Sequence, residues 1–172
     1  MKTKHVRKVF DIFGTKVVET ARGILNAKGK NSSGKLSSSL GYSLKVKEGG
    51  LDLQFLGAPY AAIVDEGIKG SKSSAKAPKS RFRYTTKQPP SGVIDKWVVR
   101  KGLSQARDKQ GRFIKRKSLV FLIARNIKLF GIKPSNFFTD AINQGMKGLP
   151  KKFAEAYAKD AAQFIRTVTQ EL

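Results

Sequence analysis

Apolar side chains at Val6, Val9, Phe10, Phe13, Val17, Ala21, Ile24 and Leu25 recur at three- and four-residue steps. That spacing predicts an amphipathic helix fading at Ala27-Lys28-Gly29. Gly14 weakens it by up to about 1 kcal/mol relative to alanine, unless close packing uses the missing side chain. Residues 29–39, rich in Gly, Ser and Lys, predict a mobile surface loop. The period then changes to two. Leu40, Tyr42, Leu44 and Val46 alternate with Gly41, Ser43 and Lys45, then Leu51, Leu53 and Phe55 with Asp52 and Gln54. Two strands joined by a Gly49-Gly50 turn are expected. A lone hairpin is marginal in water, so further strands or a partner subunit should complete it.

Past Pro59, residues 60–67 predict a short helix ended by Gly67. Residues 69–87 hold only Phe82 and Tyr84 as large apolar side chains, too few to bury the segment. Ser91 is placed to cap a helix carrying Ile94, Trp97 and Val98, and Gly111 to supply a positive φ in a turn over 108–112. A strong helix is expected from Ser118, with Val120, Ile123, Ile127 and Phe130 on one stripe, widened by Leu119, Leu122 and Leu129. Its width predicts burial on more than one side, and Gly131 should end it. Pro134 is set to start a helix with Phe137, Phe138, Ala141 and Ile142 inward. Pro150 starts the last, with Phe153, Tyr157, Ala161, Phe164, Ile165 and Val168 as its packing side. No internal repeat stands out.

Charge changes this picture more than any other property. The 172 residues carry 35 Lys and Arg against 12 Asp and Glu, a net +23. Between Lys69 and Lys117, sixteen cations face only Asp95 and Asp108, so 49 residues hold +14 of that total. Such a segment should meet an anionic partner, a nucleic acid or an acidic protein surface. The alternative is a solvated lysine-rich face. Arg81, Phe82, Arg83 and Tyr84 alternate cation with aromatic, as a stacking surface for single strands would.

Catalytic chemistry has little material. His5 is the one histidine and is expected to be merely exposed; there is no cysteine. Asp65 and Glu66 are adjacent carboxylates, better read as capping or interface residues than as an acid–base pair, and no catalytic or metal-ligating set assembles. The glycines fit neither a P-loop nor a dinucleotide fingerprint. Apolar runs such as 119–124 fall far short of the roughly 20 residues of a membrane span. A soluble intracellular product without cofactor is expected, in one domain with room for a small second lobe. Its expected parts are 1–28, 40–67, 68–117 and 118–172.

Three segments carry a resemblance. Gly34-Lys35-Leu36-Ser37-Ser38-Ser39-Leu40 resembles the G-(K/R)-L-x-x-S-(I/L) segment before the first strand of tail-completion and minor-tail (head–tail joining) proteins of lambda-like tailed phages. Tyr60-Ala61-Ala62-Ile63-Val64-Asp65-Glu66-Gly67 is similar to that family's YAxxVExG, with Asp65 extra or the register shifted by one. Gly131-Ile132-Lys133-Pro134-Ser135-Asn136-Phe137-Phe138-Thr139-Asp140-Ala141 resembles its G-(I/T)-x-P-x-P-F-(F/L)-x-x-A. They occur in the family's order within roughly 8–147. The 69–117 insertion is larger and more basic than the family's pattern, and the last helix longer.

The resemblance implies a small α+β subunit of the neck or upper tail: an antiparallel hairpin with partner strands, packed by N- and C-terminal helices. It implies a non-enzymatic virion protein, made in the host cytoplasm and joined in a homo-oligomeric ring. Its partners would be neck, portal, connector or tail-tube proteins, with DNA in the channel as a further contact. Candidate contacts to DNA or an acidic neighbour are Lys69, Lys72, Lys76, Lys79, Arg81, Arg83, Lys87, Arg112, Lys115, Arg116 and Lys117. Tyr60, Val64, Glu66, Gly67, Gly131, Pro134, Phe137 and Phe138 are candidates for the subunit interface or family motif, the two phenylalanines reading equally as core. The alternative function is a non-specific nucleic-acid-binding basic protein.

Overall fold

A computed structural model describes residues 3–47 and 50–170. They form an α+β fold of α1 (Lys4–Ala27), α2 (Lys35–Ser39), β1 (Gly41–Lys47), β2 (Gly50–Leu56), α3 (Ala61–Glu66), α4 (Ser91–Arg100), α5 (Arg116–Phe130), α6 (Phe137–Met146) and α7 (Leu149–Gln170). A 3-10 turn spans Leu103–Gln105. The chain divides into two compact units. Among the described residues, unit 1 holds the segments up to Lys28, Lys35–Ala58, and Phe137 onward, while unit 2 holds Gly29–Gly34 and Pro59–Asn136. Residues 118–172, grouped from the sequence as one helical part, are thereby divided: α5 lies in unit 2, α6 and α7 in unit 1.

Unit 1 is built around α1. Its stripe buries Val6, Phe13, Val17, Val18, Ala21 and Leu25, against α6, α7 and the hairpin. β1 and β2 pair antiparallel with Tyr42 opposite Phe55, Leu44 opposite Leu53 and Val46 opposite Leu51. This is the register that the alternation requires to put all six on one face. Of the expected Gly49-Gly50 turn, Gly49 lies outside the described residues and Gly50 instead begins β2, opposite Lys47. Among those residues the sheet has only these two strands. Helices stand where further strands were expected: the Phe55 ring meets Phe13 and Phe138 edge-on at 6.1 and 5.2 Å. Aromatic side chains from α1 and α6 thus cover the Phe55 end of the hairpin's apolar face, while Val46 stays exposed.

Two glycines set how closely these layers approach. A Cβ on Gly14 would stand 2.7 Å from the Tyr42 ring, and one on Gly145 would stand 2.8 Å from Phe13 and 2.9 Å from Val17. Gly145→Val is therefore expected to cost about 2–3 kcal/mol in urea unfolding, because α6 must move off α1. Gly23→Ala on the open side of α1, with nothing within 4 Å, should be neutral or stabilising. Equal midpoints for the two variants would count against this packing.

Three expectations are corrected in unit 1. The 29–39 loop contains α2, which buries Leu36; Arg22 donates from Nε to the Ser37 carbonyl and from Nη2 to that of Leu40, satisfying carbonyls at the helix end. The expected packing side of α7 is uncovered, with Tyr157, Phe164, Ile165 and Val168 exposed. The helix instead turns Ala156 and Asp160 inward, because α1 offers them open N–H groups and a close approach; Phe153 still meets Phe10 edge-on at 5.7 Å. His5 is not merely exposed either. Its Nδ1 lies 2.8 Å from Asp160 Oδ1, and the backbone N–H groups of His5 and Val6 donate to the same carboxylate at 3.0 and 2.9 Å.

Unit 2 has its own core. Ile94 and Val98 of α4 pack on Val120 and Ala124 of α5, with Trp97, Leu119, Ile123 and Ile127 around them. The predicted stripe of α4 is the observed one, but Pro90 takes the cap position and Ser91 makes no capping bond. α5 begins two residues before Ser118 and leaves Phe121 and Leu122 exposed. It buries one side rather than several, since among the described residues α4 is what packs along it. No described helix is long and apolar enough to cross a membrane.

Candidate functional site

The centre of unit 2 is a crossing of two backbones that end two helices in the same way. Gly67 stops α3 at φ 73°, ψ −167°, and Gly131 stops α5 at φ 72°, ψ −170°. That region is open almost solely to glycine. The next residues pair with each other: Ile68 N–H donates to the Ile132 carbonyl at 3.0 Å, and Ile132 N–H returns the bond at 2.9 Å. Each strand then caps the other's helix. Ser71 N–H donates to the Lys128 carbonyl and Lys72 N–H to that of Leu129, while Ser135 N–H donates to the Val64 carbonyl and Asn136 N–H to that of Asp65. The carbonyls left open at both helix ends are thus satisfied reciprocally.

A short internal repeat underlies this symmetry, contrary to the sequence expectation of none. Ile63-Val64-Asp65-Glu66-Gly67-Ile68-Lys69-Gly70-Ser71 and Ile127-Lys128-Leu129-Phe130-Gly131-Ile132-Lys133-Pro134-Ser135 agree at Ile, Gly, Ile, Lys and Ser in matching places. The twice-used Gly-Ile-Lys-x-Ser was the available signal. It also explains why Pro134 does not start α6: residues 134–136 are spent on the crossing, with Asn136 at φ 49°, and the helix begins at Phe137.

The same crossing anchors the basic segment. Lys69 N–H donates to the Phe82 carbonyl and Tyr84 N–H to that of Lys69, both at 2.9 Å. Buried Ser80 donates from Oγ to the Gly67 carbonyl at 2.8 Å, and Ala77 is buried beside it. Residues 69–84 thus hold a fixed course through backbone bonds, although their apolar side chains are as few as the sequence indicated. Gly70 completes the fit, since a Cβ there would run into the Leu129 carbonyl.

Charge is unevenly compensated. Unit 2 carries twenty Lys and Arg residues against Asp65, Glu66, Asp95 and Asp108, a net +16. Three of these carboxylates each hold one arginine: Arg81 Nε at 3.1 Å from Glu66, Arg116 Nε at 2.9 Å from Asp95, and Arg112 Nε at 2.9 Å from Asp108. The N–H of Arg112 donates to the Asp108 carboxylate and, outweighing its partial burial, keeps that carboxyl below the usual range with help from the Arg112 side chain and Gln110 N–H. Gly111 has the φ of 80° expected in this turn.

Among the predicted contacts, Lys72, Lys79, Lys87, Lys115 and Lys117 are exposed with no described acidic partner. Lys69 and Lys76 are half-buried, and Arg83 reaches the Ser71 carbonyl at 3.5 Å. The Arg81–Tyr84 alternation does not form an open stack. Arg81 lies over the Phe82 ring at 4.9 Å while bound to Glu66, and burial raises the pKa of half-buried Tyr84.

The interface candidates separate. Tyr60 is exposed, Val64 and Pro134 are half-buried, and Glu66 is tied to Arg81. Gly67 and Gly131 belong to the crossing. Phe137 is fully buried core in unit 1, and Phe138 packs against Phe55. Among the described residues no group of His, Asp and Glu converges as a metal would require. No known protein family matches this chain, and neither a curated protein nor a solved structure is similar to it.

Proposed function

We propose that this chain is a structural virion protein of a tailed bacteriophage, a neck or tail-completion (head–tail connector) subunit acting in a homo-oligomeric ring. One observation carries the reading. Of the three phage-like segments, 60–67 and the beginning of 131–141 supply the two backbones that cross in unit 2. The residues bearing the resemblance are therefore those on which the unit is built. The uncovered Tyr157, Phe164, Ile165 and Val168 of α7 would meet sister subunits, and the lysines of unit 2 an acidic neck, portal or tail-tube protein, or DNA in the channel. The chain has no catalytic role in this reading.

The net +16 of unit 2 also favours a second reading, non-specific nucleic-acid binding. Two experiments test them. Lys72, Lys79, Lys87, Lys115 and Lys117 are reversed to Glu together, and the variant is supplied to a phage that depends on the wild-type chain. Virion assembly predicts separate heads and tails, with joined particles at least tenfold rarer by electron microscopy. Normal yields of joined particles would reject it. The second reading predicts that wild-type protein binds random duplex DNA, with a log–log salt slope of about −0.9 per phosphate neutralised.

A further inference from the structure

Unit 2 contains a cleft that none of the sequence motifs indicated. It has a volume of ≈ 530 Å³, and its floor is apolar: Val93, Ile94 and Trp97 from α4, with Ile127 and Ile132 from α5 and the crossing. Four cations stand around that floor, Lys30, Lys76, Arg100 and Lys133, and no acid lines it. They come from four separate stretches of chain, which is why no run in the sequence marks them. Two are held in place. Lys76 Nζ lies 3.4 Å from the Gly131 carbonyl and 5.9 Å from the centre of the Phe130 ring, and Arg100 Nε donates to Ser32 Oγ at 3.1 Å. Lys30 and Lys133 have no described partner and are exposed.

We infer that this cleft docks an acidic segment of a partner protein through a short, bulky apolar anchor flanked by carboxylates. Charge complementarity identifies the occupant. An apolar floor gains by being removed from water, but a neutral ligand would leave four like charges facing one another around it. A carboxylate-flanked anchor satisfies both at once, with the charges also speeding and orienting encounter. A nucleic-acid strand fits less well: its bases stack on aromatic faces, and this floor offers one indole among aliphatic side chains. The inference rests on unit 2 being the anion-facing part of the chain, and it names the kind of partner that part would take.

Trp97 is the chain's one tryptophan, so its emission reports on the cleft directly. The probe is a tryptophan-free peptide with a central Leu-Phe pair between runs of Asp and Glu, titrated into the full-length protein. A blue shift of Trp97 emission is expected, with saturable binding. Replacing Leu-Phe by Gly-Ser should weaken binding at least tenfold. Val93→Asp and the pair Lys30→Glu with Lys133→Glu should each weaken it at least tenfold, all three residues being exposed and outside the core. Lys8→Glu with Lys16→Glu, equal in charge, exposed and not lining the cleft, should change it less than threefold. Equal affinity for the two peptides, or equal loss in the two lysine pairs, would overturn the inference and leave only diffuse attraction. Tighter binding of oligo-dT with the same Trp97 response would overturn it in favour of nucleic acid. None of these readouts depends on virion assembly, so the cleft and the phage assignment can fail separately.

Discussion

Gly131→Ala is expected to destabilise unit 2 by about 4 kcal/mol. An alanine held at φ 72°, ψ −170° bears strain of roughly 1–3 kcal/mol, and its Cβ would also be driven into the Ile68 carbonyl. The neighbour is backbone already committed to the reciprocal Ile68–Ile132 bonds, so it cannot swing aside as a side chain could, and crowding adds a comparable amount. Hydrogen exchange should show the amides of residues 61–136 losing protection while those of α1 and α6 keep theirs. Gly148→Ala is the control: its φ is 76° but nothing lies within 4 Å of the added carbon, so only backbone strain of about 1–2 kcal/mol remains. If both alanines cost the same, the backbone crossing is not what requires Gly131.

Asp160→Ala is expected to cost unit 1 about 3 kcal/mol. The first N–H groups of a helix have no partner within it, and here the carboxylate of another helix supplies one. His5 and Val6 donate their N–H to Asp160, the His5 ring adds a third contact, and the carboxylate sits at the positive end of the α1 dipole. Bonds to a charged acceptor are worth more than neutral ones, and losing it leaves buried donors empty. Asp160→Asn should rescue little, because its amide group turns a donor toward a donor. Thermal or urea unfolding measures both.

The same carboxylate makes stability depend on pH. Burial pushes the Asp160 carboxyl up, but the N–H groups of His5 and Val6 together with the His5 ring outweigh it, and the net displacement is downward from 3.8. A carboxylate lowered on folding contributes its stability fully above the unfolded value and loses it as pH falls through the folded one. Wild-type protein should therefore lose stability below about pH 3.8, relative to Asp160→Ala, and the difference between the two should shrink there. A gap that stayed constant down to pH 2 would rule the coupling out.

Much of the local structure was legible in the residues. The stripe from Val6 to Leu25 is the buried side of α1, the 40–55 alternation is the hairpin, and Ile94, Trp97 and Val98 face α5. Gly67 and Gly131 end their helices as expected, and Gly111 has the positive φ expected of it. Boundaries fared worse where tertiary bonds intervene, as at Pro134, whose helix waits for Phe137 because Ser135 and Asn136 are bonded to α3. The packing side of α7 was misjudged for a similar reason. Large apolar side chains suggested it, yet Ala156 and the charged Asp160 are what α1 receives.

The candidate site was visible only as an excess of charge. Lys72, Lys79, Lys87, Lys115 and Lys117 could be nominated as exposed cations, but composition does not reveal which cations are already engaged. Arg81, Arg112 and Arg116 proved to be paired. The cleft at Trp97 was not legible at all, because Lys30, Lys76, Arg100 and Lys133 are far apart along the chain.

Period and composition alone determined the longer helices and the hairpin, where glycine ends α3 and α5, and that the middle of the chain carries surplus positive charge. Those are properties of neighbours within a few residues, and short-range sterics and solvation decide them. Only the tertiary structure decided that Gly67 and Gly131 bind two helix ends into one crossing, that Asp160 closes the start of α1, and that four distant cations ring one apolar floor. Each depends on groups brought together across long loops, where the satisfaction of buried N–H and carbonyl groups, rather than any local preference, selects the partner.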